Sequence, residues 1–184
     1  MVTRAVLQQA FDVLEYLQGR GVKAIIAGGC ARDIFFGVRP KDVDIVVAGT
    51  SLEKVSDLLA EANLTGRTYW FYGHAASDRI RGCVKLTHVD IDVVVYDCES
   101  VTEAIDSFDF NLNQFAIVDV RHGIDYASVR FVGHHHWGRL VAVREDCKPE
   151  RAARMREKYL DLVPRRATGE IVNTAPVGGD DGPF

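Results

Sequence analysis

The sequence predicts one α+β domain built on a mixed β-sheet that is flanked by helices. Its 184 residues are 47% hydrophobic and 26% charged, the composition of an ordinary globular domain. Helical patterns and short runs of β-branched residues alternate in the first part of the chain, whereas later strand patterns follow one another through tight turns. Both arrangements in one chain indicate a mixed sheet.

Composition and cysteine spacing exclude several other classes of protein. The 22 basic and 26 acidic residues give a net charge of −4, so no global positive field indicates nucleic-acid binding. No apolar run approaches the roughly 18 residues needed to cross a bilayer, and the N-terminus lacks the apolar core of a signal peptide. The four cysteines form no Cys-x-x-Cys pair. We therefore expect a cytoplasmic chain with reduced cysteines and no membrane partner.

The N-terminal half alternates helix and strand. Apolar residues at helical spacing run up to a stop at Gly19, and a β-branched run too short for a helix ends at Gly28. Pro40 precedes a second β-branched run, and Thr50 with Glu53 matches a capping box. The predicted elements are a helix over 3–17, a strand over 22–27, a helix over 31–36, a strand over 42–48 and a helix over 52–63.

The C-terminal half is richer in strands. An aromatic run around Trp70 precedes a Gly73-His74 turn, and Pro149 suits the first turn of a final helix. These features divide the chain into a head over 1–163 and an extended or disordered tail over 164–184. The predicted elements are strands over 68–72, 80–86, 89–96 and 115–120, weaker strands over 129–132 and 140–143, and a helix over 149–162.

A glycine pair followed by a pair of acids is the sharpest local signal. Gly28 and Gly29 follow a predicted strand, where they let the backbone approach a phosphate and amides of the next helix donate to it. The strand period of two puts Asp42 and Asp44 on one face and Val43 in the core. Such paired oxygen ligands suit Mg²⁺ between carboxylates and phosphates. Either pair alone is more often a plain turn or a solvated surface, but together they favour a functional site.

A third acid lies in the predicted strand over 89–96. Asp92 opens a very apolar run, and buried strands seldom carry acids without a role. It can complete a two-metal triad and help to deprotonate an attacking hydroxyl, with Asp90 on the same strand face as the fallback. The structural alternative is a strand-end acid that bonds to a loop.

Three segments resemble parts of a known family. The chain resembles the head domains of class II tRNA nucleotidyltransferases (CCA-adding enzymes) and bacterial poly(A) polymerases through Gly28-Gly29-Cys30-Ala31-Arg32-Asp33, Gly37 and Asp42-Val43-Asp44. Residues 109–113 are similar to that family's nucleotide-contacting element, and residues 149–154 to the end of its base-selecting stretch. The resemblance implies a polymerase-β-like nucleotidyltransferase head.

The resemblance also implies roles for the matching residues. Two Mg²⁺ ions and a nucleoside triphosphate, ATP or CTP, are the expected cofactor and substrate, because metal-bound carboxylates and an arginine suffice for phosphoryl transfer. From the residues themselves we expect Asp92 as the third metal ligand or the base, and Lys41 as a further phosphate contact. The resemblance implies metal binding and catalysis for Asp42 and Asp44; phosphate binding for Gly28, Gly29 and Arg32; ordering of that cradle for Asp33; ribose contact or motif orientation for Asp109 and Asn113; and contact with base or phosphates for Arg151 and Arg154. Helix caps and ordinary surface cations are the alternative roles of the last four.

Two departures from the family pattern bear on substrate choice. Ser107-Phe108 stands where the family carries Arg-Arg, which removes two nucleotide contacts. Cys147-Lys148 stands where the family carries Glu-Asp, which replaces a base-reading carboxylate with an ammonium. Triphosphate affinity and the choice between CTP and ATP are therefore open, and we expect no room after Leu162 for the family's helical neck, body and tail.

The predicted function is that of a minimal, template-independent nucleotidyltransferase. It transfers a nucleoside monophosphate from a triphosphate to an acceptor hydroxyl, with the 3′ end of an RNA such as tRNA as the expected acceptor. The alternatives are a nucleotide- or RNA-binding module that has lost catalysis, and a nucleotidyltransferase that acts on a small molecule or a protein. A homo-oligomer is a further expectation.

Two other clusters have ordinary structural interpretations. The side chains of His134, His135 and His136 cannot easily converge on one ion, so loop packing is favoured over a metal site. Trp137 beside them leaves stacking on a nucleic-acid strand as the alternative. The aromatic run around Trp70 is interpreted as core or a subunit interface, with base stacking as the minority alternative.

Overall fold

An eight-stranded mixed sheet organises the protein. The computed structural model describes residues 1–71 and 79–166, together with the backbone of a short strand at 174–176. The elements are α1 Arg4–Gly19, β1 Lys23–Ala27, α2 Gly29–Phe35, β2 Val43–Ala48, α3 Leu52–Glu61, β3 Gly66–Trp70, β4 Ile80–Leu86, β5 Ile91–Tyr96, α4 Val101–Asp106, β6 Phe115–Val118, β7 Ser128–Phe131, α5 Pro149–Arg166 and β8 Thr174–Pro176. The strand order is β3-β4-β5-β2-β1-β6-β7-β8. β2 and β5 pair in parallel and the other described pairs are antiparallel, so the predicted α+β class with a mixed sheet is confirmed.

Two cores cover the two faces of the sheet. Val43, Ile45 and Val47 of β2 join the larger core, to which α1, α2, α3 and α5 also contribute. Val46 and Ala48 point the other way and join a smaller core with residues of α4. This alternation follows from the strand period of two. The even-numbered residues at the start of β2 therefore lie on the α4 face.

Side-chain caps explain where two helices begin. Thr3 Oγ1 accepts a hydrogen bond from the amide of Val6 at the start of α1. Ser51 Oγ accepts one from the amide of Lys54, so Ser51 caps α3 and the capping box predicted at Thr50 is wrong. The reason is that Ser51 holds the extended conformation a cap requires, which moves the helix start one residue on. None of the helices in the described ranges has the length and hydropathy to cross a membrane.

Three regions differ from the sequence prediction. The six-residue α4 escaped prediction because it is too short for helical periodicity to show. Residues 140–143 form no strand, since Ala142 makes only an isolated bridge with Phe110. α5 continues through Pro164 to Arg166, so the first three residues of the predicted tail are helical.

β3 lies at one edge of the sheet and leaves its aromatic residues exposed. Tyr69, Trp70 and Phe71 expose 38%, 44% and 56% of their surface. The interpretation of this run as core is therefore wrong, because a strand at the sheet's edge has a neighbour on one side only. The predicted Gly73-His74 turn lies outside the described residues.

Candidate active site

Three acids come together where β2 and β5 begin. Asp44 and Asp92 are direct neighbours in the parallel pairing of these strands, so their side chains leave the sheet side by side. Asp42 immediately precedes β2 and is exposed, while Val43 between the two acids is fully buried. We call Asp42, Asp44 and Asp92 the acidic cluster.

Burial and mutual repulsion shift the ionisation of the acidic cluster. Burial, followed by the negative charges of Asp42 and Asp92, raises the pKa of Asp44 to about 7, while the ammonium of Lys85 acts in the opposite direction. Burial also raises the pKa of the Cys30 thiol well above its usual range, with Asp44 as the next cause. Near neutral pH, Asp44 therefore retains a proton for part of the time until a cation joins the cluster.

Lys85 is the neighbour of Asp92 on the side away from Asp44. The two residues face each other across the antiparallel β4 and β5 strands, and Lys85 Nζ donates a hydrogen bond to Asp92 Oδ2. Asp90, the fallback acid, is exposed, and its Oδ2 lies 3.0 Å from the amino nitrogen of Met1. Asp92 is therefore the acid that joins Asp44.

The acidic cluster has the chemistry of a divalent-cation site. Carboxylate oxygens are the ligands that Mg²⁺ prefers. Burial comes first among the causes that raise the pKa of Asp44, and the charges of Asp42 and Asp92, which a bound cation would offset, come after it. Within residues 1–71 and 79–166, no three His, Cys, Asp or Glu side chains form a group that could hold a metal ion. The fold therefore brings Asp44 and Asp92 together as a pair, with Asp42 close enough to act on Asp44 through its charge.

Gly28 turns the chain from β1 into α2. Its φ of +91° is one that L side chains rarely adopt, and its amide donates to the carbonyl of Phe115 at 2.9 Å. This turn starts α2 at Gly29, two residues earlier than predicted. A Cβ on Gly29 would lie 3.5 Å from Arg32 Nη2, so the glycine leaves the backbone bare next to this guanidinium.

Arg32 is buried on α2 and is held by two partners. Its Nε and Nη2 donate to Asp33 Oδ1 at 2.8 and 2.6 Å, and its Nη1 donates to Asn113 Oδ1 at 2.6 Å. Arg32 and Asp33 are only 5% and 7% exposed, so each charge depends on the other. Asp33 thus lies in direct contact with the arginine that it is predicted to order.

Asp109 extends this arrangement to α5. Its Oδ1 accepts from Asn113 Nδ2 at 3.0 Å, and its Oδ2 accepts from Arg151 Nε at 2.7 Å. Burial alone raises the pKa of Asp109, but the hydrogen bond and charge of Arg151 outweigh it and hold the pKa below its usual range. We call Arg32, Asp33, Asn113, Asp109 and Arg151 the arginine network. In this structure Asp109 and Asn113 orient arginines.

An open cleft of about 470 Å³ joins the acidic cluster to the arginine network. Asp44 lines it from the sheet, and Arg32 and Arg151 line it from α2 and α5. The cleft thus brings acids and cations to one space that a phosphate-bearing ligand can enter. The predicted residues in its lining are Gly28, Gly29, Arg32, Asp44, Asp109, Asn113 and Arg151, whereas Asp33, Lys41, Asp42, Asp92 and Arg154 lie outside it.

The lining also contains residues to which sequence reasoning gave no role, among them Tyr96, Arg144 and Lys158. Lys158 follows Arg151 by seven positions on α5, and this two-turn spacing is the signal that points to it. Burial, then the charge of Arg32, lowers the pKa of Lys158, and Lys41 and Arg151 act in the same direction. Positive charge therefore converges at this end of the cleft, while Arg154 is exposed.

Phe108 changes the character of the cleft wall. It stands where the family resemblance expects an arginine, and its ring lies 6.1 Å from that of Tyr96, centroid to centroid. Both rings line the cleft. This part of the wall is therefore aromatic and uncharged.

The histidines at 134–136 belong to a loop that Asn111 holds. Asn111 Nδ2 donates to the carbonyls of His135, His136 and Arg139, and its Oδ1 accepts from the amide of Val141. Asn111 is fully buried, and sequence reasoning gave it no role of its own. These contacts hold the backbone of the loop, whereas the side chains of His134, His135 and His136 are exposed, so the loop-packing interpretation of the histidines stays a prediction.

Two curated proteins are similar to parts of the chain. Poly(A) polymerase I of Haemophilus influenzae is 34% identical over 62 residues, which are 34% of this chain and 14% of that protein. The CC-adding tRNA nucleotidyltransferase of Halalkalibacterium halodurans is 29% identical over 112 residues, which are 61% of this chain and 27% of that protein. The chain therefore spans less than a third of either relative. The similarity that the motifs predict is confirmed.

Solved CCA-adding enzymes are distant structural neighbours. The Thermotoga maritima enzyme complexed with tRNA has a TM-score of 0.49 at 20% identity, over 63% of this chain and 27% of that chain. The Bacillus stearothermophilus enzyme in complex with CTP has a TM-score of 0.48 at 22% identity, over 66% of this chain and 29% of that chain.

The chain is similar to nucleotidyltransferases. This similarity rests on the curated relatives, and the glycine turn and the acidic cluster agree with it. The chain belongs to the Gabija anti-defense 2 family, whose model matches residues 2–133. That match contains the whole acidic cluster and ends before Arg151.

Proposed function

We propose that this chain is a nucleotidyltransferase that transfers a nucleoside monophosphate from a triphosphate to an acceptor hydroxyl without a template. The observation that carries the proposal is the cleft, which Asp44 borders from the sheet and cations border from two helices, with Asp92 paired in register beside Asp44 on the adjacent strand. Phosphoryl transfer is catalysed mainly by positioning and by electrostatic stabilisation, which such an arrangement supplies. The similarity to named nucleotidyltransferases supports the proposal.

The acidic cluster is proposed to hold Mg²⁺, with two ions in the full complex. Asp42 and Asp44 are its main ligands, and Asp92 is the third ligand or the base. When bound, Mg²⁺ neutralises the phosphates and the departing pyrophosphate. Burial and, after it, the charges of Asp42 and Asp92 raise the pKa of Asp44, and the charge contribution supports this role because a bound cation would offset it.

The chain's own groups have separate tasks in the proposed reaction. The acceptor oxygen forms a bond to the α-phosphorus as the bond to the bridging oxygen breaks, and pyrophosphate leaves with the electron pair. In its role as base, the alternative to that of third ligand, Asp92 accepts the proton of the acceptor hydroxyl. The proposed ligand contacts are Gly28, Gly29, Arg32, Lys41 and Lys158 to phosphates, and Arg151 and Arg154 to the base or phosphates, with Asp33, Asp109 and Asn113 as positioning residues.

The proposed acceptor is the 3′ end of an RNA, with tRNA as the first choice and ATP or CTP as donor. The curated relatives are named for poly(A) and tRNA products, which supports an RNA acceptor. The exposed cations Arg154 and Lys158 on α5 suit a phosphate backbone. The reaction is proposed for the cytoplasm. The exposed aromatic edge of β3 supports a homo-oligomer.

The family description favours a second candidate function. Because the chain belongs to a family described as Gabija anti-defense proteins, we propose that it counters that defence system. It does so through the transfer reaction or as a binding module that has lost catalysis. The changed Ser107-Phe108 and Cys147-Lys148 positions favour the binding module, since both remove family contacts to the nucleotide.

Transfer is tested with each of four α-labelled ribonucleoside triphosphates, mixed tRNA and Mg²⁺. We expect label in RNA from the native chain and at least a hundredfold less from the Asp42→Ala/Asp44→Ala variant, because removing acidic ligands removes transition-state charge stabilisation. An Asp57→Ala variant, which changes an exposed acid on α3, is the matched control. Equal labelling by the native chain and the Asp42→Ala/Asp44→Ala variant contradicts the proposed reaction.

The same variant separates the two forms of the anti-defence function. Each chain is expressed in cells that carry the Gabija system, and survival of infecting phage is counted. If phage survive with the native chain but not with Asp42→Ala/Asp44→Ala, the chain acts through transfer. If phage survive equally well with that variant, the result supports the binding module.

A further inference from the structure

Three neighbouring strands carry a row of charges at one level of the sheet. Asp44 on β2 pairs in register with Asp92 on β5, and Asp92 pairs in register with Lys85 on β4. The ammonium of Lys85 donates to Asp92 Oδ2. The acid that completes the cluster is thus already engaged by a cation of the chain itself.

The exposures of the two partners differ. The side chain of Lys85 is 52% exposed, and that of Asp92 is 17% exposed. Lysine has a flexible four-carbon stem, so its ammonium can leave Asp92 for water, whereas the carboxylate is confined beside Asp44. A divalent cation that uses an oxygen of Asp92 must compete with this ammonium.

We infer that Lys85 competes with a divalent cation for Asp92 and thereby sets how tightly the acidic cluster binds that cation. The inference rests on the cation site of the proposed function and makes Lys85 a positioning residue. While the cation site is empty, the hydrogen bond from Lys85 holds the Asp92 carboxylate in place. When the ammonium of Lys85 moves away, that carboxylate becomes available to the incoming cation. The affinity of the site is therefore limited by a residue outside the family motif.

The test measures binding of Mn²⁺, a substitute for Mg²⁺, to the whole chain by isothermal titration calorimetry at pH 8. Lys85→Met keeps the aliphatic stem and removes the charge, and we expect it to bind Mn²⁺ about tenfold more tightly than the native chain. Lys85→Arg keeps the charge and is expected to bind like the native chain. Arg81→Met is the matched control, because Arg81 lies on the same strand and pairs with Asp97 away from the cluster.

A double-mutant comparison isolates the role of Asp92. In an Asp92→Asn background, the gain from Lys85→Met is expected to disappear, because the contested carboxylate is gone. A gain that persists there, or unchanged affinity of Lys85→Met in the native background, overturns the inference. Equal binding by the native chain and Lys85→Met leaves the proposed cation site intact. Binding by neither chain overturns both the inference and that site.

Discussion

The arginine network and the acidic cluster meet at one cleft, which the cluster reaches through Asp44, yet the fold treats their charges differently. In the network, the guanidinium of Arg32 gives three hydrogen bonds to Asp33 and Asn113, and Asp109 accepts from Arg151. Buried charges are tolerable when they are paired and hydrogen-bonded in this way. Folding of the chain therefore gives the charged groups of the network their partners.

The acidic cluster is left with excess negative charge. Lys85 pairs with Asp92, but burial and the adjacent carboxylates still raise the pKa of Asp44 to about 7. The charges of the network are thus paired within the chain, whereas the cluster keeps uncompensated negative charge.

Breaking the network should have the largest effect on stability. Replacing Arg32 with Met leaves Asp33 buried without its cation, and we expect a loss of roughly 3–5 kcal/mol in the free energy of unfolding. Urea unfolding at pH 7 measures it, with the exposed Arg67→Met on β3 as the control. A loss below about 1 kcal/mol would show that Asp33 does not depend on Arg32 for its charge pairing in the folded chain.

Removing a carboxylate from the acidic cluster should instead increase the free energy of unfolding at high pH. Because the pKa of Asp44 is higher in the folded chain than in the unfolded chain, the folded state binds the extra proton between pH 4 and 7. As far as this group is concerned, stability is thus highest below pH 4, falls between pH 4 and 7, and levels off above pH 7. Asp44→Asn removes that dependence and should stabilise the metal-free protein at pH 8 by about 2 kcal/mol.

Urea unfolding in EDTA at pH 4.5, 6 and 8 tests this prediction. The exposed Asp57→Asn is the control, and its pH profile should match that of the native chain. If Asp44→Asn is less stable than the native chain at pH 8, the cluster is not strained by its own charge.

The smallest effect is expected where the network reaches the surface. Arg151 is 40% exposed, so Arg151→Met should cost only about 0.5–1 kcal/mol. The same change should raise the pKa of Asp109, because the hydrogen bond that lowers it is lost. An NMR titration of the Asp109 carboxyl measures the shift, and Arg154→Met, three residues along the same helix, should leave it unmoved.

The sequence predicts those parts of the fold that depend on local patterns. β-branched runs located most strands, and the positive φ at Gly28 explains why a glycine follows β1. Asp92 was predictable because an acid that opens an apolar run is out of place on a buried strand. The long-range register that sets Asp44 beside Asp92 needed the structure.

What escaped prediction depends on contacts between distant segments. Arg32 and Asn113 meet although they are 81 residues apart, and no local pattern encodes that hydrogen bond. Lys85 reads as an ordinary strand cation until the β4 and β5 register brings it to Asp92. The exposed edge of β3 was missed because an aromatic run has the same composition in a core as at an edge.

The parallel pairing of β2 and β5 has a consequence for folding order. Among the described strands, these two alone run in parallel, and α3, β3 and β4 lie between them along the chain. Parallel strands pair only after such a crossover closes, and long closures are slow and entropically costly. Asp44 and Asp92 are therefore brought side by side only after this crossover has closed, so the acidic cluster is a late product of folding.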